Sequence, residues 1–284
     1  ILVAGGGPAG MKAAITAARR GHEVTLCEAG PQLGGQALLA QLLPGRAEFG
    51  GIVTNLAREL EAAQVRVLRN CALDLAQVRA AAPDAVIVAT GARPHVPPLE
   101  TDGEVAVMTA WDVLRGTARP GGRVVVADWR GDWIGPGIAE HLTAAGSSVR
   151  LMVNATHMGQ ALPLYVRDTL AASLHRLGVA VTPYARLFGT SGDSVFFQHA
   201  GSGEPIIAEG VDALVLCLGH EPVDGLADML RGAVPEVLRI GGQIARQRDD
   251  LPQLGAQEVA GLLQRVPSWP RLQKRGIERA RWLP

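Results

Sequence analysis

Residues 1–10 read ILVAGGGPAG, a short apolar stretch that runs directly into a glycine-rich turn. From Met11 to Ala18, apolar side chains recur at helical spacing, so the turn lies between a predicted strand and a predicted helix. In this setting Gly-x-Gly-x-x-Gly binds dinucleotides, because glycines permit a tight turn, close approach of a pyrophosphate and close helix–strand packing. The helix N-terminus also presents free N–H groups to phosphates. We therefore predict a nucleotide site with contacts from Gly5, Gly7, Pro8, Ala9 and Gly10.

An acidic residue supports this prediction. Glu28 ends the second predicted strand, which begins near His22. A carboxylate at that position accepts hydrogen bonds from ribose hydroxyls and repels a 2′-phosphate. We expect Glu28 and its neighbour Ala29 to contact a ligand that resembles ADP, FAD or NAD rather than NADP.

The remaining apolar runs indicate further strands and helices. A helix is predicted from about Glu48, and buried strands are predicted at residues 65–68 and 85–89. A second strand–turn–helix unit begins at Arg123, and another buried strand covers residues 213–217. Two such units in series predict an α/β protein with two Rossmann-like lobes.

Three short motifs connect the chain to a family: Gly34-Gly35-Gln36, Ala89-Thr90-Gly91 and Cys217-Leu218-Gly219. Their order and spacing resemble the glutathione-reductase-like class. This resemblance implies that the second lobe is inserted into the first. We expect residues 1–103 and 211–265 to form the nucleotide-binding lobe, 104–210 an NAD(P)-type lobe, and 266–284 a basic tail with tryptophans. The predicted nucleotide contacts then also include Gly35, Gln36, Cys71, Ala72, Ala89, Thr90 and Gly91.

A longer stretch narrows the resemblance. Gly34-Gly35-Gln36, followed by residues 43–49, is similar to the C-terminal half of the 2,4-dienoyl-CoA reductase and trimethylamine dehydrogenase group, flavoproteins related to old yellow enzyme. The resemblance covers roughly residues 1–240. It implies that a catalytic FMN barrel and a 4Fe–4S cluster belong to another domain or to a partner chain. Because the chain begins inside a predicted strand, we expect that a few residues or a preceding domain are missing.

The second turn, Asp128 to Gly135, departs from the pattern of a pyridine-nucleotide site. Arg130 and Asp132 stand at two glycine positions if Gly135 is the third glycine. Side chains there obstruct a pyrophosphate, and carboxylates repel it. The turn resembles the amine-dehydrogenase branch of the group, so we expect a vestigial lobe that does not bind NADH. Two interpretations apply to Trp129 and Trp133: packing at the junction between domains, or blocking of the empty site.

The ligand of the first lobe stays open between ADP and FAD. Flavin-binding relatives usually carry an aspartate just after the late glycine turn, which here reads Ile240 to Ala245. The next acids, Asp249 and Asp250, lie too far along to be an obvious substitute. This departure lowers the expectation of FAD and favours ADP.

Composition excludes several other classes. Lys+Arg and Asp+Glu number 27 each, so we predict no basic surface for nucleic acid. No apolar run reaches the roughly 18 residues of a membrane span, and no secretory signal precedes the first strand, so we expect a cytoplasmic protein. The three cysteines lie far apart and predict small buried side chains rather than a redox disulfide or a metal site. No two histidines have acid–base spacing, so we assign no catalytic residue and no metal ligand.

Three functions remain open. The leading hypothesis is the ADP-binding portion or subunit of an amine- or betaine-oxidising dehydrogenase or demethylase, with electrons leaving to a carrier such as electron-transferring flavoprotein. The second is the FAD-containing lobe of an NAD(P)H-dependent reductase similar to 2,4-dienoyl-CoA reductase. The third is a non-catalytic assembly subunit. In the first two cases the chain is part of an oxidoreductase whose catalytic centre lies elsewhere.

Overall fold

The computed structural model describes residues 1–242. The predictions for the late turn beyond Gly242, for residues 243–265 of the first lobe and for the tail at 266–284 lie outside the described residues. The strands are β1 (Leu2–Ala4), β2 (Thr25–Cys27), β3 (Arg66–Leu68), β4 (Ala85–Val88), β5 (Ala92–Pro94), β6 (Glu100–Gly103), β7 (Ala106–Thr109), β8 (Arg123–Asp128), β9 (Ser148–Val153), β10 (Ala180–Thr182), β11 (Ala185–Gly192), β12 (Ser194–His199), β13 (Pro205–Ala208), β14 (Ala213–Cys217), β15 (His220–Pro222) and β16 (Glu236–Arg239). The helices are α1 (Pro8–Arg19), α2 (Ala37–Ala40), α3 (Phe49–Ala62), α4 (Leu75–Ala81), α5 (Ala110–Arg115), α6 (Ile134–Ala144), α7 (Leu164–Arg176) and α8 (Gly225–Leu230).

The first lobe is a five-stranded parallel sheet in the order β16-β4-β1-β2-β3. Helices α1 and α3 pack on one face, through residues such as Ile15 and Leu60. Val78 of α4 and Leu230 of α8 cover the other face. All four residues of β4 are buried because both faces of this central strand are covered, which explains its uninterrupted apolar sequence.

The second lobe contains another five-stranded parallel sheet, in the order β10-β9-β8-β14-β7. Residues of α6 and α7, including Ile138 and Leu174, form a core with one face of this sheet. The other face packs against a four-stranded sheet in the order β13-β12-β11-β6. Strands β12 and β13 form an antiparallel pair within it.

The predicted fold class is confirmed: two α/β lobes, with the second inserted into the first. Strand β16 returns to pair with β4 after the whole second lobe has intervened in sequence. The boundary at residue 211 needs a correction, because it assigned residues 213–217 to the first lobe. Strand β14, which these residues form, pairs with β8 and β7 in the second sheet. The chain therefore returns to the first lobe after Cys217.

Within residues 1–242, none of the helices combines the length and the apolar character needed to cross a membrane.

Candidate nucleotide-binding site

A cleft of about 680 Å³ lies at the carboxyl ends of β1, β2, β4 and β16. Ligands of open α/β sheets bind in this position. Most of the predicted contacts line the cleft: Gly5, Gly7, Pro8, Ala9, Glu28, Gly35, Gln36, Ala89, Thr90 and Gly91. The turn after the first strand therefore shares one cavity with the motifs that follow the second and fourth strands.

Gly5 and Gly10 are required by the fold itself. Gly5 has φ +109°, in the region that favours glycine, and a Cβ there would collide with the Ala89 carbonyl. A Cβ on Gly10 would collide with the carbonyl oxygen of Gly5. Gly10 consequently sits behind the turn rather than in the cleft, where it lets α1 approach β1. Its predicted role in close helix–strand packing agrees with this position.

Gly7 stands in a different environment. Its φ is −74° and its ψ 176°, which any residue adopts, and it caps the N-terminus of α1. The nearest atom to an added Cβ would be the Cα of Gly35, at 4.0 Å. Nothing in the described protein therefore requires glycine at residue 7. The absence of a side chain leaves open space in the cleft, next to the N–H groups at the start of α1.

Glu28 holds the glycine turn in place. Its Oε2 accepts a hydrogen bond from the Gly6 N–H at 2.6 Å, and its Oε1 accepts one from the Gly30 N–H at 2.7 Å. A carboxylate offers about four acceptor positions. Within residues 1–242, two of them remain for ribose hydroxyls, so Glu28 can shape the turn and bind a ribose at the same time.

Besides Gly10, three predicted contacts do not line the cleft. Ala29 and Ala72 are exposed. Cys71 lies behind Glu28, where its N–H donates to the Glu28 carbonyl at 2.8 Å. Its thiol forms a hydrogen bond with that of Cys27, and burial together with this contact raises the pKa of Cys27 to about 12. Cys27 and Cys217 are buried, as expected for small apolar side chains, and Cys71 is half-buried.

The sequence reasoning missed the part of the cleft that the second lobe contributes. Trp111 and Arg115 of α5 line it, as do further residues of the first lobe: Ala37, Leu38, Leu39, Ala92 and Gly242. The start of α5 has a sequence signal, since Thr109 and Asp112 form a reciprocal capping box. This signal predicts a helix but carries no information about which lobe the helix faces.

Backbone N–H groups of the second turn donate hydrogen bonds to two carboxylates of the same turn. Oδ1 of Asp128 accepts hydrogen bonds from the N–H groups of Arg130 at 2.8 Å and Gly131 at 3.2 Å. Oδ1 of Asp132 accepts one from the N–H of Ile134, the first residue of α6, at 2.8 Å. Backbone donors that would bind a pyrophosphate are thus already bonded. The carboxylates predicted to repel a pyrophosphate therefore also occupy the N–H groups that would bind it.

Asp128 also fills the space beneath α6. It is 1% exposed, and a Cβ on Gly135 would lie 2.8 Å from its Oδ2. Oδ2 itself accepts no hydrogen bond from the residues that the structure describes. Burial raises the pKa of Asp128 to about 6. A cavity of only about 20 Å³ lies beside this turn, between Arg130 and Cys217.

Both tryptophans of the second turn pack within the protein. Trp133 belongs to the core of the second lobe and stacks on Phe49 of the first, with ring centroids 5.4 Å apart. The guanidinium of Arg46 lies 5.1 Å from the Trp133 ring centroid. Trp129 packs against the core between the two sheets of the second lobe. Both tryptophans therefore fit the interpretation as packing residues. For Trp133, this packing joins the two lobes.

The fold and the open cleft define a flavin- or NAD-binding oxidoreductase module. The chain belongs to the pyridine nucleotide-disulphide oxidoreductase family, whose model matches residues 1–240. It is 35% identical to N,N-dimethylglycine/sarcosine dehydrogenase of Chromohalobacter salexigens over 188 residues, which cover 64% of this chain and 27% of that protein. It is 32% identical to bilirubin reductase of Mediterraneibacter gnavus over 222 residues, which cover 78% of this chain and 34% of that protein.

A solved structure agrees with these relatives. The 6-hydroxypseudooxynicotine amine oxidase of Pseudomonas geniculata N1 superposes with a TM-score of 0.77 at 27% identity, over 86% of this chain and 38% of that one. The predicted resemblance and the assignment to oxidoreductases are confirmed. The chain spans only about a quarter to two fifths of the length of these three relatives.

Proposed function

We propose that this chain is the nucleotide-binding portion of an amine- or betaine-oxidising dehydrogenase or demethylase, and that its first lobe holds ADP. One observation carries the proposal, the contrast between the two strand–turn–helix units. The first opens on a cleft of about 680 Å³, whereas the second bonds its backbone donors to Asp128 and Asp132. A lobe that cannot take NADH receives no electrons from it. This suits an enzyme whose electrons come from an amine oxidised elsewhere.

The residues of this chain would bind rather than react. The N–H groups at the start of α1 would hold the pyrophosphate, and Glu28 would hold the ribose. A ligand that binds only the folded state stabilises that state in proportion to its affinity and concentration. Since the cleft is lined from both lobes, bound ADP would hold the lobes together as a structural ligand.

We propose that the FMN and the 4Fe–4S cluster lie outside this chain, because the described residues do not fit a 4Fe–4S cluster. Residues 1–242 contain no group of three or more His, Cys, Asp or Glu residues that could hold a metal ion. Cys217 ends β14 of the second lobe, whereas Cys27 ends β2 of the first. We place both groups on a barrel domain or partner chain that passes electrons to a carrier such as electron-transferring flavoprotein. The relatives are longer than this chain, and their additional residues are long enough to form such a domain.

The nucleotide released on denaturation tests this proposal. The full-length enzyme that contains this chain is purified and denatured, and the supernatant is separated by liquid chromatography. We expect one ADP for each copy of this chain, beside FMN from the rest of the enzyme. FAD in place of ADP would contradict the proposal. Fractionation of the source cells tests the cytoplasmic location, which stays a prediction.

The alternative function is an FAD-containing NAD(P)H-dependent reductase. The similarity to bilirubin reductase favours it, as does an apolar groove of about 290 Å³ that adjoins the cleft and shares Gln36 and Trp111 with it. Release of FAD together with NADH oxidation by the complete enzyme would support this alternative. The third function, a non-catalytic assembly subunit, predicts that the chain purifies without an FMN-bearing part.

A further inference from the structure

The order of the strands gives the cleft a direction. Glu28 follows β2, the glycine turn follows β1, Gly91 follows β4 and Gly242 follows β16. These strands lie side by side in the order β16-β4-β1-β2. A nucleotide with its ribose at Glu28 and its pyrophosphate at the turn therefore points its phosphate end toward Gly91 and Gly242.

Trp111 stands at that phosphate end. Its indole N–H donates to Nε2 of His220 at 3.1 Å, and the two rings lie 5.4 Å apart. His220 belongs to β15, which pairs with β5, the strand just after Gly91. This hydrogen bond fixes the indole on the β4 side of the cleft. The same ring lines the apolar groove that lies next to the cleft, so Trp111 stands between the two cavities.

Arg115 lies beside this tryptophan. Its guanidinium carbon is 4.9 Å from the centroid of the Trp111 ring. Among the described residues that line the cleft, Arg115 is the single cation and Glu28 the single anion. The cleft thus has a carboxylate at the ribose end and a guanidinium at the phosphate end. A guanidinium matches a phosphate that keeps free oxygens, because it can donate two parallel hydrogen bonds to it.

We propose that Trp111 and Arg115 close the phosphate end of the cleft around a free terminal phosphate, so that it accepts a nucleoside diphosphate and excludes a flavin dinucleotide. This inference rests on the proposed function and names the residues that select its ligand. In ADP the terminal phosphate has three free oxygens and an extra negative charge for Arg115. In FAD that phosphate is esterified, and the chain that continues from it would meet the indole.

Arg115→Gln tests the phosphate contact. The bound nucleotide is removed from the full-length enzyme, and AMP and ADP are titrated by calorimetry. We expect ADP to bind roughly ten- to a hundredfold more weakly than to the parent, the range for a charge-assisted hydrogen bond, while AMP changes less than about twofold. Arg119→Gln, an exposed arginine outside the cleft, should change neither. An equal loss for AMP and ADP, or no loss for ADP, would overturn the inference.

Trp111→Ala tests the exclusion of FAD. Removing the indole joins the cleft to the apolar groove, so the variant should bind FAD, which the parent protein does not, and should still bind ADP. Trp111→Phe keeps a ring in place and should exclude FAD as the parent does. Failure of Trp111→Ala to gain FAD, in a variant that still binds ADP, contradicts the inference alone. FAD bound by the parent would contradict the proposed function as well.

Discussion

The two glycine-containing turns of this molecule connect the same elements, a strand and a helix, but differ in what lies at the helix N-terminus. Both follow a buried parallel strand and lead into a helix that packs on the sheet. At Gly5 to Gly10, small residues leave the helix N-terminus facing an open cleft. At Asp128 to Gly135, two carboxylates bond to the N–H groups that a phosphate would bind. The same strand–turn–helix frame can therefore leave its helix N-terminus open to a ligand or occupy it with carboxylates of the turn itself.

Gly10→Ala should have the largest effect, because the added Cβ meets the backbone of Gly5, which cannot move away. We expect the free energy of unfolding to fall by about 3 kcal/mol or more, measured by urea denaturation. Gly51→Ala in α3 is the matched control, since an added Cβ there meets no atom of the described residues within 4 Å. It should stabilise the protein by roughly 0.5–1 kcal/mol, the usual gain for alanine in a helix. Equal effects at both positions would contradict the role of Gly10 in packing α1 against β1.

Gly7→Val should abolish nucleotide retention and leave the fold intact. Valine fits the φ and ψ of Gly7, but its side chain enters the space where the backbone meets a pyrophosphate. Nucleotide content after purification measures the first effect, and circular dichroism measures the second. Gly121→Val is the control, because within residues 1–242 an added Cβ there has no neighbour closer than 4 Å and the residue lies outside the cleft. Full retention of nucleotide by Gly7→Val would contradict the assignment.

How far the sequence predicted these features depends on whether they are local. The turn, the α1 helix and the position of Glu28 follow from residues close together in the chain, and residues of the turn and Glu28 line the cleft. Trp111 and Arg115 were missed because they reach the cleft only through the packing of one lobe on the other. Strand β14 was placed in the wrong lobe because a uniformly apolar strand carries no mark of the sheet it joins. The two hydrogen bonds that Glu28 accepts, from the N–H groups of Gly6 in the turn and of Gly30, depend on loop geometry that no spacing reveals.

Glu28→Ala should weaken nucleotide binding by roughly 1.5–3 kcal/mol, the range for a charge-assisted hydrogen bond. Calorimetric titration with ADP measures this loss. Because Glu28 also binds the N–H groups of Gly6 and Gly30, the variant should in addition loosen the turn in the protein without nucleotide. Faster amide exchange at Gly6 would report that second effect. Unchanged affinity for ADP would remove Glu28 from the site.

Asp128→Asn should give a stability gain that depends on pH. Burial raises the pKa of Asp128 to about 6 in the folded protein, above its value of about 3.9 in unfolded chains. The folded state therefore binds the proton more tightly, and stability is lost as pH rises from about 4 to 6. Asparagine keeps an oxygen for the Arg130 and Gly131 N–H groups and cannot ionise. A shift of about two pKa units corresponds to roughly 3 kcal/mol, so the variant should gain at most that amount at pH 7.5 and nothing at pH 4, measured by thermal unfolding. A gain independent of pH would show that ionisation of Asp128 is not its source.

Titration of the full-length enzyme with NADH tests the central claim most directly. The first cleft is kept filled with ADP, and NADH is followed by its fluorescence and by saturation-transfer NMR. Because Asp128 and Asp132 occupy the donors of the second turn, we predict no saturable binding of NADH and no displacement of ADP. The obstruction of the second turn should weaken binding by about 4 kcal/mol, or roughly a thousandfold in dissociation constant. Saturable binding of NADH at micromolar concentration, with ADP still in place, would show that the second turn is a working site and contradict the account.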